Sequence, residues 1–331
     1  MNVGIMGSGM IVGVVTELWR REFPQIVPTA MWGRLEDAES LERRAATLGV
    51  PTTYTDLDAF LEDDSFDVAY VGLVNSLHYE FTRRALEAGK SVVCEKPFVS
   101  TASQARELVE LAEERGLFVL ESVVPWYQRN YGAIRERLGE LGEVKLVQVS
   151  LSQRSRRYDA YLKGDVLPVF DPALDGGALM DMGVYSAHWV MGLLGAPERV
   201  AYYPNKGPNG IDTSGALVMD YGTSTAVCLT AKDSASPNCC VIQGTRGSLV
   251  VNGGPAQNDD VLLTLNGQGS ERVGERGLDD GFACVWRRVL DVYKRHDLAW
   301  ARAFMERVTE VMDVMERARL DAGIVFPCDG S

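Results

Sequence analysis

The chain has 331 residues, enough for two domains of roughly 100–200 residues each. With 46% hydrophobic and 24% charged residues, it falls outside the disordered and collagen-like classes. Its formal charge of −13 argues against a nucleic-acid partner, because phosphate contacts need clustered Lys and Arg.

A first strand expected from Asn2 onward leaves no room for a signal peptide, and no apolar run reaches membrane-spanning length. Cys94, Cys228, Cys239, Cys240, Cys284 and Cys328 form no CxxC pair and no zinc-like spacing. Reduced thiols, a cytoplasmic location and no metal are therefore expected. Adjacent Cys239 and Cys240 read as strand residues on opposite faces.

Residues 2–121 alternate β-branched runs with amphipathic stretches, the pattern of a doubly wound parallel sheet with helices on both faces. Residues 3–6 read as the first strand, 11–23 as a helix and 26–31 as the next strand. Residues 36–48 read as a helix stopped by Gly49. Strands are predicted at 68–73 and 91–94, with a helix over 79–88 between them. Thr101 and Gln104 form a capping box for a further helix, which ends near Gly116 before a strand at 118–120.

The pattern changes after Pro125. Strands are predicted at 144–151, 200–203, 216–221, 225–230, 241–243 and 248–251, many joined without helices. This gives an α+β second domain with a large mixed, mostly antiparallel sheet. A helix over 177–194 interrupts it, and a helical C-terminus runs from about 282 to 322. Residues 252–258 and 267–277 read as polar loops. The expected division is a dinucleotide-binding domain over 1–122 and a substrate-binding and oligomerisation domain over 123–331.

Gly7-Ser8-Gly9-Met10-Ile11-Val12 follows the first strand and opens a helix, as a dinucleotide-binding turn does. Gly7 suits the tight turn, and Gly9 lets a pyrophosphate approach the backbone N–H groups. Val12 stands where Gly or Ala is usual, so the helix is expected to lie slightly away from its strand. A glycine turn without cofactor is the plain alternative. The second strand ends at Trp32-Gly33-Arg34 with no Asp or Glu for an NAD ribose. Arg34 suits the 2′-phosphate of NADP, so NADP is favoured over NAD. Glu36 and Asp37 keep NAD open, and a solvated surface arginine is the other reading.

Asn75-Ser76-Leu77-His78, then Ala85-Leu86-Glu87-Ala88-Gly89-Lys90, then Cys94-Glu95-Lys96-Pro97, resembles the glucose-fructose oxidoreductase/inositol dehydrogenase/rhizopine-catabolism (Gfo/Idh/MocA) family. Gly176-Gly177-Ala178-Leu179-Met180-Asp181-Met182-Gly183-Val184-Tyr185, followed by His188-Trp189, strengthens the match. The resemblance implies a nicotinamide-dependent oxidoreductase with a sugar-like or polyol substrate, with Lys96 facing the reacting carbon. Independently, Glu95-Lys96-Pro97 lies beyond a parallel strand's carboxyl end, where open α/β sheets place ligands. Glu95 would orient Lys96 or backbone groups. Asn75 and His78 would hold the cofactor or close the pocket, although His78 equally suits a cap on its own helix.

Asp181 and Tyr185 are four apart on a predicted helix and share a face. Many relatives place His where Tyr185 lies, whereas dihydrodiol-dehydrogenase-like and glucose-fructose-oxidoreductase-like members place Tyr there. The resemblance therefore makes Tyr185 the acid/base, Lys96 the stabiliser of oxygen charge and Asp181 the residue that orients the pair. His188 falls seven after Asp181 and is either a packed histidine beside Trp189 or, in an NAD-dependent inositol-like dehydrogenase, the base. One of Arg154, Arg156 and Arg157 suits a substrate group. Trp126, Tyr127, Tyr158 and Tyr161 suit a sugar ring or the core. A non-catalytic NADP-sensing protein is the alternative from a different class, disfavoured by the intact Lys96, Asp181 and Tyr185. An exposed sheet face in the second domain would suit a homodimer or homotetramer.

Overall fold

The structure is a computed structural model and describes residues 1–275 and 281–330. Two compact units divide it: Met1–Ser122 with Val285–Thr309, and Val123–Cys284 with the chain from Glu310 on. Residues 285–309, expected with the second domain, thus pack with the first. The reason is apolar. Trp286 lies 4.5 Å from Trp19 and 5.5 Å from Tyr70, centroid to centroid, and all three rings are buried and edge-to-face.

In the first unit the elements run β1 (Asn2–Met6), α1 (Met10–Glu22), β2 (Val27–Trp32), α2 (Ala38–Leu48), β3 (Thr52–Tyr54), α3 (Leu57–Leu61), β4 (Val68–Val71), α4 (His78–Glu87), β5 (Ser91–Glu95), α5 (Ala102–Glu114) and β6 (Val119–Ser122). The sheet order is β3-β2-β1-β4-β5-β6, all parallel. Its order reverses between β1 and β4, the position where doubly wound sheets bind dinucleotides. β4 and β5 are buried along their whole length, as strands covered on both faces must be. Gly49 ends α2 in the left-handed conformation at φ 72°. The Thr101 side chain accepts the Gln104 N–H at 3.2 Å, but Gln104 Oε1 accepts from Ser100 N–H instead of Thr101 N–H, so the capping box closes one residue early.

The second unit contains α6 (Arg129–Arg137), β7 (Val144–Ser152), α7 (Tyr158–Leu162), α8 (Val184–Leu194), β8 (Arg199–Lys206), β9 (Asp212–Asp220), β10 (Thr225–Ala231), β11 (Cys239–Gly244), β12 (Gly247–Asn252), β13 (Asp260–Leu265) and β14 (Ser270–Val273). Then come α9 (Gly281–Arg295) and α10 (Leu298–Asp321), which supply Val285–Thr309 to the first unit. The eight strands order as β14-β13-β12-β11-β7-β10-β9-β8. β7 and β10 pair in parallel and the other neighbours are antiparallel, which makes the sheet mixed. Strand β14 lies inside the predicted 267–277 loop, a correction; residues 276 and 277 lie outside the described residues. Cys239 is half-buried and Cys240 is buried, as alternation along β11 requires. All six cysteines are free thiols.

Every second residue of this sheet is core: Val147, Val149, Leu217, Met219, Cys228, Ile242, Leu249 and Val261 are at most 2% exposed. The opposite face is half-exposed, with Val218 beside Val227 and Val241 beside Val250 on either side of an exposed Gln148, and with Tyr203, Leu229 and Leu146 also exposed.

Candidate active site

The glycine turn between β1 and α1 is built by steric necessity. Gly7 has φ 108°, and a Cβ there would sit 2.5 Å from the Gly72 carbonyl oxygen. Its N–H donates to Trp32 O at 2.9 Å, which ties the turn to the end of β2. Val12 is fully buried, and the room for it comes from Gly72 after β4, where a Cβ would meet Val12 Cγ2 at 2.8 Å. The glycine missing from the usual third position is thus made good across the sheet.

Gly9 precedes α1 in extended conformation and gives no side-chain cap, and no acidic residue occupies the helix's first turn. A Cβ on Gly9 would meet nothing within 4 Å. The uncapped N–H groups, the positive end of the helix dipole and the open space over Gly9 fit a dinucleotide pyrophosphate. Ser8, Gly9 and Met10 line a cavity of about 570 Å³, which extends along α1 to Gly13 and Glu17 and reaches Arg44 and Thr47 on α2. Ile11 is half-buried behind it. Gly33 N–H donates to Tyr54 O at 3.1 Å, binding the end of β2 to β3. Arg34 is 59% exposed in its side chain and is held by Glu36 at 3.1 Å and Asp37 at 2.9 Å. Its charge is already answered, and a phosphate would have to displace those carboxylates.

At the end of β5, Lys96 is the one residue in 91–100 that keeps partial exposure. The Lys96-Pro97 peptide is cis. Below it, Glu95 is buried and accepts from Tyr70 Oη at 2.9 Å; burial pushes its carboxyl above the usual range against the pull of Tyr70 and Lys96. Glu121, also fully buried, accepts the Phe98 N–H at 2.9 Å and fixes the chain after Pro97. His78 does not cap its helix. Its Nδ1 lies 2.8 Å from Pro97 O and its Nε2 3.2 Å from Leu73 O, so the ring ties the loop after β4 to the loop after β5. Burial lowers its pKa. Asn75 opens the short 3-10 turn Asn75–Leu77 just before it and is half-buried.

In the second unit the predicted 177–194 helix is two pieces. Leu179–Gly183 is a π-helix, and α8 follows. Such i→i+5 turns are uncommon and recur at functional sites. At its start Asp212, fully buried, accepts the Leu179 N–H at 2.7 Å and the Tyr202 hydroxyl at 2.7 Å. Burial raises the Asp212 carboxyl, opposed by those donors. The wide turn presents Asp181 to Lys232, which follows β10 and forms an ion pair with it. Asp181 and Tyr185 both keep partial exposure, whereas His188 is fully buried. The His188 ring packs edge-on against Trp126 at 4.7 Å, and Trp126 Nε1 donates to the His188 carbonyl at 2.5 Å. Trp126 is therefore committed to α8, with only part of its ring exposed.

Arg154 pairs with Asp159 at 2.6 Å and lies over the Tyr158 ring. Tyr161 belongs to the core, 3% exposed, stacked on Phe170 at 4.7 Å and donating to Asn209. Three residues absent from the sequence reading shape the two halves: Lys232, Asp212 and Arg44. Among the described residues no group of His, Cys, Asp or Glu could hold a metal, and no helix is long and apolar enough to cross a membrane.

Residues 1–122 match an oxidoreductase family with an NAD-binding Rossmann fold, and residues 134–250 match the Gfo/Idh/MocA C-terminal domain. The chain is 29% identical over 301 residues, 91% of each protein, to scyllo-inositol 2-dehydrogenase (NADP(+)) IolU of Bacillus subtilis (strain 168). It is 33% identical over 257 residues to dTDP-3,4-didehydro-2,6-dideoxy-alpha-D-glucose 3-reductase of Streptomyces violaceoruber, covering 75% of this chain and 72% of that one. KijD10, a 3-ketoreductase from Actinomadura kijaniata solved with NADP and TDP-benzene, has the same fold, with a TM-score of 0.82 at 24% identity over 97% of both chains. The glycine turn at the switch point, the lysine at the end of β5 and these matches across both sheets make the chain a member of the Gfo/Idh/MocA family of NAD(P)-dependent oxidoreductases.

Proposed function

We propose that this protein is an NADP-preferring dehydrogenase or reductase acting on a carbinol or carbonyl carbon of a sugar, polyol or dihydrodiol-like substrate. The observation that carries the reading is Lys96, a charged side chain kept partly exposed in an otherwise buried run at the carboxyl end of β5. NADP preference rests on the absence of an acid at the end of β2 and on the NADP-dependent inositol dehydrogenase among the relatives. Inositol and deoxysugar chemistry in the relatives supports the substrate class.

The cofactor supplies or accepts the hydride. Tyr185 exchanges the hydroxyl proton, Lys96 stabilises charge on the substrate oxygen, and Asp181 orients the donors. Tyr185 is preferred over His188 because the histidine ring is buried against Trp126, out of reach of solvent. Asn75 and the loops braced by His78 hold the cofactor, and the thiols remain reduced in a cytoplasmic setting. The outer face of the second sheet, which exposes Tyr203, Leu229 and Leu146, is the surface for a homodimer or homotetramer.

The test is a screen of the purified protein against aldoses, inositols, dihydrodiols and dicarbonyls with each nicotinamide cofactor, followed by absorbance. Turnover with at least one class, faster with NADP, is the expected result. Tight cofactor binding with no turnover on any class would instead favour a sensor.

A further inference from the structure

Arg44, halfway along α2, is half-buried, and its Nε donates to the carbonyl of Ser8 in the glycine turn at 3.3 Å. Its Nη1 lies 2.9 Å from where a Cβ on Gly13 would be, so the guanidinium lies close against the bare backbone of α1. The neighbouring arginines are all neutralised: Arg20 by Glu17, Arg21 by Glu22, Arg34 by Glu36 and Asp37, and Arg43 by Glu39. Among the described residues, Arg44 has no carboxylate partner. Glu17 lines the same cavity, but Arg20 holds it at 2.7 Å and keeps its carboxyl below the usual range.

A guanidinium drawn partly out of water with one carbonyl acceptor has unused donors at the cavity wall, where a dianionic phosphate would satisfy them. The pyrophosphate of a dinucleotide is served by the uncapped N–H groups at the start of α1. Arg44 comes instead from the helix after β2, and the end of β2 is where the adenosine ribose is read. We propose that Arg44 binds the adenosine 2′-phosphate and is the main determinant of NADP preference, with Arg34 secondary. This rests on the NADP reading above.

Calorimetric titration of the purified protein with NADP, NAD, 2′,5′-ADP and 5′-ADP tests it. Arg44→Met should weaken NADP and 2′,5′-ADP by about 10–100-fold, the range for a lost hydrogen bond to a charged group, while NAD and 5′-ADP change less than about threefold. Arg44→Lys, which keeps the charge and loses the fork, should recover part of the loss and guards against a folding defect in the Met variant. Arg34→Ala should cost NADP less than Arg44→Met does. Equal weakening of all four ligands would overturn the proposal and leave Arg44 as a brace for the Ser8 carbonyl. Unchanged NADP affinity, or a larger effect from Arg34→Ala, would overturn it as well. A wild-type protein that binds NAD as tightly as NADP would instead sink the NADP reading itself.

Discussion

The Lys232 ammonium and the Asp181 carboxylate form an ion pair in which the lysine side chain is 9% exposed and the aspartate 30%. It fixes a negative charge on the π-turn one helical step before Tyr185, and nothing local in the sequence links the two residues. Lys232→Met should therefore lower turnover at least about tenfold on any substrate the screen identifies, because it removes the ammonium that holds the Asp181 carboxylate in place. Lys232→Arg should restore part of the activity. Wild-type kcat and KM in the Met variant would remove Lys232 and Asp181 from the reaction.

Tyr185→Phe removes only the phenolic oxygen and should reduce kcat by about 10²–10⁴-fold at saturating NADP, the usual worth of a general acid–base. His188→Asn should reduce it much less, its main effect being looser packing on Trp126. Steady-state kinetics of the two variants decide between them. The reverse ranking would transfer the proton-transfer role to His188.

Lys96→Met should abolish detectable turnover while NADP affinity, measured by fluorescence titration, changes only a few-fold. A folded Met variant with near-normal kcat would return Lys96 to the status of a solvated lysine.

His78 supplies a pH signature. Burial lowers its folded pKa below the ordinary value, the largest effect, while the Pro97 and Leu73 carbonyls and Glu121 pull upward and Lys96 downward. As pH falls below about 6.5, the unfolded chain gains a proton that the folded protein refuses, so stability drops by up to about 1.4 kcal/mol per pH unit. The raised pKa of Glu95 acts with the opposite sign, since its folded form takes up a proton first and gains stability as pH falls. Urea unfolding at pH 7.5, 6.5 and 5.5 should show a steeper acid-side loss for wild type than for His78→Gln. Parallel curves would mean that the histidine is protonated in the folded protein.

Leu229 and Tyr203 flank Ala216 on the open face of the second sheet. If that face is an interface, the wild type should elute as a dimer or tetramer, and Leu229→Glu with Tyr203→Glu should shift it towards monomer without changing NADP affinity. Light scattering coupled to size-exclusion chromatography reads both. A monomeric wild type at micromolar concentration would discard the interface.

The parallel sheet was legible because its strands are continuous β-branched runs closed by glycines, as at Gly49 and Gly89, both with positive φ. Strand β3 escaped notice because Thr52–Tyr54 is too short to show a period. β14 was hidden because Ser270–Val273 is polar and lies beside the glycine-rich segment around Gly267 and Gly269, so composition spoke for a loop while hydrogen bonding to β13 made a strand. Lys96, Asp181 and Tyr185 stood out through their flanking motifs. Lys232, Asp212 and Arg44 did not, because each acts on a residue remote in sequence: Lys232 across β10 to Asp181, Asp212 on the start of the π-turn, and Arg44 across the groove to Ser8. A helical period of 3.6 also foretold an unbroken helix where Leu179–Gly183 forms a π-turn before α8.

The exchange of bulk between Val12 and Gly72 restricts how this enzyme can be re-engineered. A cofactor turn cut from a relative as residues 7–12, with alanine at position 12, would leave a methyl-lined void beside Gly72, while any larger residue at 72 would strike Val12. The two positions form one heritable unit split across 60 residues of chain, so a graft that alters cofactor choice must carry both or neither.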